Sequence, residues 1–443
     1  MFLVPRVSGG GAEKAITALA SQMAEKYTVY LVSTLAEDGT APYEISEKVS
    51  YINLCAWPAA KGTEKKAGRL ACLFKKLRKA PLRKLFLFRK AEQYSGQSRE
   101  SIQVRKLLDL KRALCVDCAV SFLNSANDLN VRSCMGERTV ISVRSYPDGD
   151  WAPPDCRTEE GKRKIRDACT AADVIVPVSE EIGTCLVEHY DAEREKLRVI
   201  YNAVDMKRIR EQAALPIELI ALKRALARTD FAFICAGRMT DKKGQWHVIR
   251  AFREVVKKHP NAILILPGRA GKGKENVKEY LEQVIRENAL EEHVLLPGFC
   301  NNPYAVYGRC QVCVTASFNE GFPNVLLEAM ALGLPVVSTD CSSGPRELLA
   351  PGTDYLRKTE ETEWAEYGVL VPVCSGNRLS TEPLEREEQS LADAMLGLME
   401  NAERMNGYRE KSMARAVQLQ AEAQAVLWEQ CWKESMKNGQ IPK

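Results

Sequence analysis

FAFICAGRMTDKKGQ, residues 231–245, is an apolar run that ends on a glycine and passes into a cationic loop. It marks a restart. Downstream of it AILILPG (262–268), HVLLPGF (293–299), CQVCVTAS (310–317) and LPVVSTD (334–340) repeat the same design, each separated from the next by a helical pattern. Upstream lies an earlier series: FLVP (2–5), TVYLVST (28–34), DCAVSFL (117–123), RTVISVR (138–144), DVIVPVS (173–179) and LRVIYN (197–202). The helix read over AEKAITALASQMAEKY puts Ile16, Leu19, Ala20 and Met23 on one face. Short apolar runs alternating with longer helical patterns predict βα units and parallel sheets. Two series in succession predict two α/β domains, with a boundary near residues 203–210 in a charged, mostly helical connector. A chain of 443 residues is also longer than one hydrophobic core supports. A last helical stretch, 402–436, carries Trp428 and Trp432 on one face.

Bulk composition narrows the classes. With 45% hydrophobic and 27% charged residues the chain is an ordinary globular one. MFLVPRVSGGGAEK lacks the apolar segment of a signal peptide, and no run reaches the length of a membrane span, so a cytoplasmic protein is expected. The fifteen cysteines are odd in number and scattered through apolar runs, which predicts reduced, buried thiols. The pairs Cys115/Cys118 and Cys310/Cys313 read as parts of strands and have no second pair or histidine at metal-ligand spacing. None of the four histidines stands beside a nucleophile, which argues against a serine or cysteine triad.

The chemistry concentrates at the ends of the second series of strands. In EGFPNVLLEAMALGLPVV (320–337), Glu320 falls in the loop after a strand and Glu328 in the following helix. The amides of Gly321, Phe322 and Asn324 are placed at a helix N-terminus, where they can donate to ligand oxygens. Two carboxylates accept from hydroxyls, so they suit a polyhydroxylated ligand. Taken alone, the pair reads better as a cap and a solvated helix position. Gly237, Arg238 and Lys243 in GRMTDKKG change that, because a close backbone approach and two cations at the same sheet edge suit a diphosphate. SGGGAE (8–13) is a tight glycine loop running into a helix, and its consecutive glycines do not form GxGxxG.

GRMTDKKG followed by EGFPNVLLEAMALGLPVVSTD resembles the donor site of retaining glycosyltransferases of family 4, which have the GT-B fold and an E-x7-E motif. SGGGAEKAITALA, PVSEEI, VIYNAVD, LPGFCNNP and SSGPRELL extend the resemblance over most of residues 1–350. It implies two Rossmann-like domains facing across a cleft: residues 1–205 for the acceptor, with a basic insertion at 61–93, and 206–401 for a nucleotide-sugar donor. Residues 402–443 would return as a helix to the N-terminal domain. Glu328 would hold the donor ribose. Glu320, with Gly321, Phe322, Pro323 and Asn324, would hold the transferred sugar, and Phe299 and Gly237 would join the donor site. Arg238 and Lys243 would stabilise the leaving diphosphate. Gly10 and Gly11 would lie across the cleft, near the phosphates and the acceptor. Arg144 stands where many relatives carry a histidine, as in the subset acting on lipid-linked oligosaccharides and capsular glycans; it would contact a phosphate or form a structural salt bridge. The first strand is shorter than is usual in the family, which suggests a truncated start or a frayed strand. No cofactor and no metal are implied, since no DxD lies in a suitable loop and two cations can replace a magnesium ion.

Residues 61–90 hold twelve Lys or Arg and a single acid, so the rest of the chain is net acidic. Within them Leu70, Leu73, Phe74 and Leu77 share a helical face, with Lys75, Lys76, Arg78 and Lys79 on the others. Such a segment suits an anionic membrane surface, at ~1 kcal/mol per basic residue. It lacks polar base readers, so nucleic acid is not expected. The expectation is a hexosyltransferase, peripheral on the inner face of the plasma membrane, moving a hexose or N-acetylhexosamine from a UDP-sugar to a lipid-linked or membrane-proximal glycan. An epimerase or phosphorylase on the same fold, or a silent nucleotide-sugar-binding protein, are the alternatives.

Overall fold

The computed structural model describes residues 1–7, 10–35, 45–57, 98–271 and 276–433. The first half runs β1 (Phe2–Val4), α1 (Gly11–Met23), β2 (Val29–Ser33), β3 (Val49–Asn53), α2 (Arg99–Leu114), β4 (Cys118–Phe122), α3 (Asn124–Arg132), β5 (Arg138–Val143), α4 (Glu159–Ala171), β6 (Val174–Pro177) and α5 (Glu180–His189). Two connecting helices come next, α6 (Met206–Ala214) and α7 (Ile220–Leu226). The second half runs β7 (Phe231–Ile234), α8 (Gln245–Lys258), β8 (Ala262–Pro267), α9 (Val277–Glu287), β9 (Val294–Gly298), α10 (Pro303–Tyr307), β10 (Val312–Thr315), α11 (Asn324–Ala331), β11 (Val336–Thr339) and α12 (Pro345–Leu349). It closes with β12 (Glu363–Trp364), β13 (Val369–Val371), α13 (Arg386–Met399), α14 (Ala402–Gln418) and α15 (Ala421–Lys433).

The first sheet has the order β3-β2-β1-β4-β5-β6 and is parallel throughout. The second has the order β12-β13-β11-β10-β7-β8-β9, parallel except for β12. Each sheet reverses its winding beside its first strand, at β1/β4 and at β7/β10. In such sheets ligands bind beyond the carboxyl ends of the strands at that reversal.

The halves are tied together behind the cleft. Val204 N–H donates to Leu419 O at 3.0 Å and Ala421 N–H to Val204 O at 3.0 Å, so the chain's two crossings are bonded to each other. After the second crossing α15 packs on the first sheet's domain, with Trp428 stacked on Phe122 at 5.3 Å and Trp432 edge-on to Tyr27 at 6.2 Å. The last helical stretch is therefore two helices. α14 packs on α11 in the second half, and only α15 returns to the first.

Two further details differ from the sequence reading. LRVIYN is not a strand: it touches β6 through one bridge at Leu197, and Tyr201 then stacks on Phe322 of the other half at 4.9 Å. Cys115 lies past the end of α2 in a left-handed turn, and Cys310 precedes β10, so each CxxC has only its second cysteine in a strand. Among the described residues no helix is long and apolar enough to cross a membrane. Phe74, Lys75, Lys76, Leu77, Arg78 and Lys79 lie outside the described residues.

Candidate active site

Lys243 is positioned by a short helical turn after β7. Gly244 ends that turn in the left-handed region at φ 54°, where a Cβ would lie 2.3 Å from Ala316 O, so only glycine lets the loop rest on the end of β10. Phe318 N–H donates to Lys242 O at 2.9 Å and fixes the same approach from the other side. As a result Lys243 Nζ meets Glu320 Oε1 in an ion pair. Burial pushes the Glu320 carboxyl up, but the charges of Lys243 and Lys242 outweigh it and hold it below the ordinary range. Glu320 is thus an ionised carboxylate, neutralised by the cation expected to bind phosphate. Arg238 is exposed at the same strand end, and its charge acts on the Glu13 carboxyl of α1, which burial raises.

Glu328 lies in the second turn of α11 and is met from the opposite domain. Lys14 of α1 hydrogen-bonds both Glu328 Oε1 and the Tyr304 hydroxyl, with its ammonium 5.0 Å from the centre of the Tyr304 ring. Burial, with Glu328 next, pushes the Tyr304 hydroxyl up to about 12. Asn324, first in α11, donates to Gly11 O at 3.4 Å, and a Cβ on Gly11 would lie 2.8 Å from that amide nitrogen. Gly10 caps α1 without a side chain, and Pro323 likewise caps α11. The glycine loop of the first half therefore abuts the E-to-E segment of the second.

The remaining expected residues divide by role. Phe322 is buried against Tyr201, so it packs the loop instead of facing the cleft, while its carbonyl accepts from Asn202 at 2.8 Å. A Cβ on Gly321 would lie 2.1 Å from Arg144 O, and Tyr146 N–H donates to Glu320 O at 3.2 Å, which locks this loop to the end of β5. Arg144 lies 4.7 Å from the centre of the Phe122 ring and bonds Asn202 and Ser142. Among the described residues it has no carboxylate partner, so it is not a structural salt bridge; burial lowers it to about 9. A cavity of about 200 Å³ opens beside it, lined by Pro5, Leu123, Asn124, Ser125 and Ser145. Phe299 is 52% exposed after β9, with the Arg269 guanidinium 3.9 Å from its ring centre.

Two groups converge like metal ligands among the described residues: Asp148, Cys185 and His189, and the set His247, Glu385 and Glu388. Neither includes a residue of the cleft described above. Asp148-Gly149-Asp150 has DxD spacing, but Asp148 Oδ2 is 2.7 Å from His189 Nδ1. His247 and Arg250 both bond the buried Glu388 at 2.7 Å, a scaffold beneath α8.

Lys14, Tyr304 and Glu13 were not singled out by the sequence reading. The only signal for them was proximity: Lys14 and Glu13 come directly after the glycine loop, and Tyr304 directly after LPGFCNNP.

Two doubly wound parallel sheets, with their carboxyl edges opposed across a cleft and a C-terminal helix returning to the first, define the GT-B class. Residues 218–367 match the family model for glycosyl transferases group 1. Over 415 residues, 93% of this chain and 92% of the relative, it is 28% identical to the N-acetylgalactosamine-N,N'-diacetylbacillosaminyl-diphospho-undecaprenol 4-alpha-N-acetylgalactosaminyltransferase of Campylobacter jejuni. It is 32% identical to an uncharacterized glycosyltransferase of Methanocaldococcus jannaschii over 241 residues, 54% of this chain and 58% of that protein's length. Among solved structures, Anabaena Alr3699/HepE in complex with UDP and glucose superposes with a TM-score of 0.69 at 19% identity, covering 99% of both chains. Sucrose-phosphate synthase from Thermosynechococcus elongatus gives 0.70 at 17% identity, again over 99% of both chains.

Proposed function

We propose that this protein is a retaining glycosyltransferase of family 4, which moves a hexose or N-acetylhexosamine from a UDP-sugar to a lipid-linked or membrane-proximal glycan. The observation that carries the reading is the convergence of Lys243, Glu320 and Glu328 at the carboxyl edge of β7 and β10, opposite Gly10 and Gly11. Glu320 and Glu328 are then its E-x7-E pair. The undecaprenol-linked substrate in the name of the Campylobacter relative, and the UDP and glucose held in the HepE complex, support the acceptor and donor classes. Residues 1–205 form the acceptor domain in this reading and 206–401 with α14 the donor domain, while α15 returns to the first half.

The chemistry is set by the charges. Glu328 accepts from the ribose hydroxyls, and the flat face of Phe299 with Arg269 lies at the same sheet edge for the base. As the diphosphate arrives, Lys243 passes from Glu320 to a phosphate oxygen, which frees Glu320 to accept from the transferred sugar. Arg238 and Lys243 then stabilise the charge that grows on the departing diphosphate. Two cations in this place let transfer proceed without a metal ion or cofactor. Closing the cleft keeps water from the reactive sugar.

The basic segment around Lys75, Lys76, Arg78 and Lys79, with Phe74 and Leu77, would hold the enzyme on the anionic inner face of the plasma membrane. Nucleic acid is not a partner in this reading. The test is a panel of UDP-sugars with polyprenyl-diphosphate-linked saccharides, read by mass spectrometry, with the product anomer assigned by NMR and the reaction repeated in EDTA. Transfer with retention is expected. Turnover of donor without acceptor would favour an epimerase, and an inverted product would overturn the family assignment. Co-sedimentation with anionic vesicles, lost on charge reversal of the four basic residues, tests the membrane contact.

A further inference from the structure

We propose that Lys14 is a donor-binding residue that hands its ammonium from Glu328 to the donor diphosphate when a nucleotide enters the cleft. The inference rests on the donor-site reading above and extends it to a residue of the opposite domain.

Lys14 belongs to α1, in the first half, yet it bonds Glu328 and Tyr304, both in the second. Its side chain is 39% exposed while that of Glu328 is 15% exposed, so the ammonium covers the carboxylate from the cleft side. A ribose reaching Glu328 must bring its hydroxyl donors to the oxygens Lys14 now uses. The displaced ammonium would then lose an anionic partner inside a partly desolvated site, at the cost of an unsatisfied charge. A nucleoside offers nothing in exchange. A nucleoside diphosphate does, because its phosphates run from the ribose at Glu328 toward Lys243 at Glu320, and Lys14 stands in the first turn of α1, whose Gly11 abuts Asn324 between the two glutamates.

The site itself contains the charges that the ligand would replace. The charge of Arg238 acts on Glu13, and Lys14 covers the carboxylate of Glu328. α1 thus presents a cation where the ribose donates hydrogen bonds. Handing that cation to the phosphates makes the site selective for diphosphates over the bare nucleoside, and it links donor binding to the acceptor domain.

The experiment compares UDP, by titration calorimetry, with uridine, by competition against UDP, for the full chain and for Lys14→Met and Lys14→Arg. In Lys14→Met uridine should bind as well as or better than in the parent, since a competitor for Glu328 is gone. UDP should bind at least tenfold more weakly, and Lys14→Arg should restore most of the difference. Equal weakening of both ligands would mean that Lys14 merely orients Glu328, and equal tightening that it is only a plug; either overturns the proposal. Thermal unfolding of each variant identifies a folding defect, and in that case Lys14→Arg against the parent decides: a Kd ratio of uridine to UDP kept within threefold supports the hand-off, and one that collapses overturns it. The donor reading fails separately, if the parent binds no UDP or if Glu328→Ala binds it unchanged.

Discussion

Replacing Lys243 by methionine tests whether its charge serves the fold or the reaction. The ion pair with Glu320 is largely desolvated, with side-chain exposures of 20% and 13%. Stranding one partner of a fully buried pair costs about 3–5 kcal/mol. Partial exposure, and Lys242 nearby as a second cation acting on Glu320, reduce this to about 1–3 kcal/mol for Lys243→Met. Lys243→Met/Glu320→Gln removes both charges and should regain most of that loss, a coupling of about 1–3 kcal/mol. Activity should behave in the opposite way. Losing one preorganised charge at the leaving group costs roughly 10²–10³ in kcat, about 2.7–4 kcal/mol, and the double variant supplies no replacement. The assay is a four-protein cycle: denaturant unfolding for stability, and initial rates at saturating UDP-sugar for chemistry. Rates that recover together with stability in the double variant, or a single variant within threefold of the parent, would refute the reasoning.

On the proposed donor reading, Glu328→Ala removes a charged acceptor for the ribose and should weaken UDP binding by about 2 kcal/mol, or roughly thirtyfold, by calorimetry; unchanged affinity would place the ribose elsewhere. Gly321→Ala sets a Cβ 2.1 Å from Arg144 O, a backbone atom that cannot swing aside. It should cost about 1–3 kcal/mol in unfolding and lower kcat/KM, whereas Gly352→Ala, with nothing within 4 Å, serves as a silent control. Glu347 is buried between the halves and accepts from the amides of Glu180 at 2.7 Å and Glu181 at 3.1 Å; burial pushes it up to about 7 from 4.5. Because the folded value is the higher one, its contribution to stability is complete below about pH 4.5 and is lost as the pH rises through about 7. Denaturant unfolding from pH 5 to 8 should show a falling slope in the parent that Glu347→Gln flattens, and equal slopes would remove Glu347 as the cause.

The central strands of both sheets were legible because buried parallel strands must be apolar on both faces, as in FAFICAG and AILILPG. VSYIN (49–53) was missed for the same reason: β3 is an edge strand, only its first residue, Val49, is buried, and it therefore lacks an apolar run. LRVIYN looked like a strand because its apolar residues are real. They are spent on leaving one half for the other, with Tyr201 against Phe322 and Asn202 bonded to its carbonyl.

The sequence by itself determined the two βα series and placed Arg238, Lys243 and Glu320 just beyond strand ends and Glu328 in the following helix, because local patterning sets where strands end and which residues come next. It could not assign Phe322 to packing, nor show Lys243 neutralised by Glu320. Only the tertiary structure decided that Lys14, more than three hundred residues from Glu328, covers it across the cleft. Contacts between opposed sheet edges depend on how two rigid domains face each other, and no periodicity within either one encodes that.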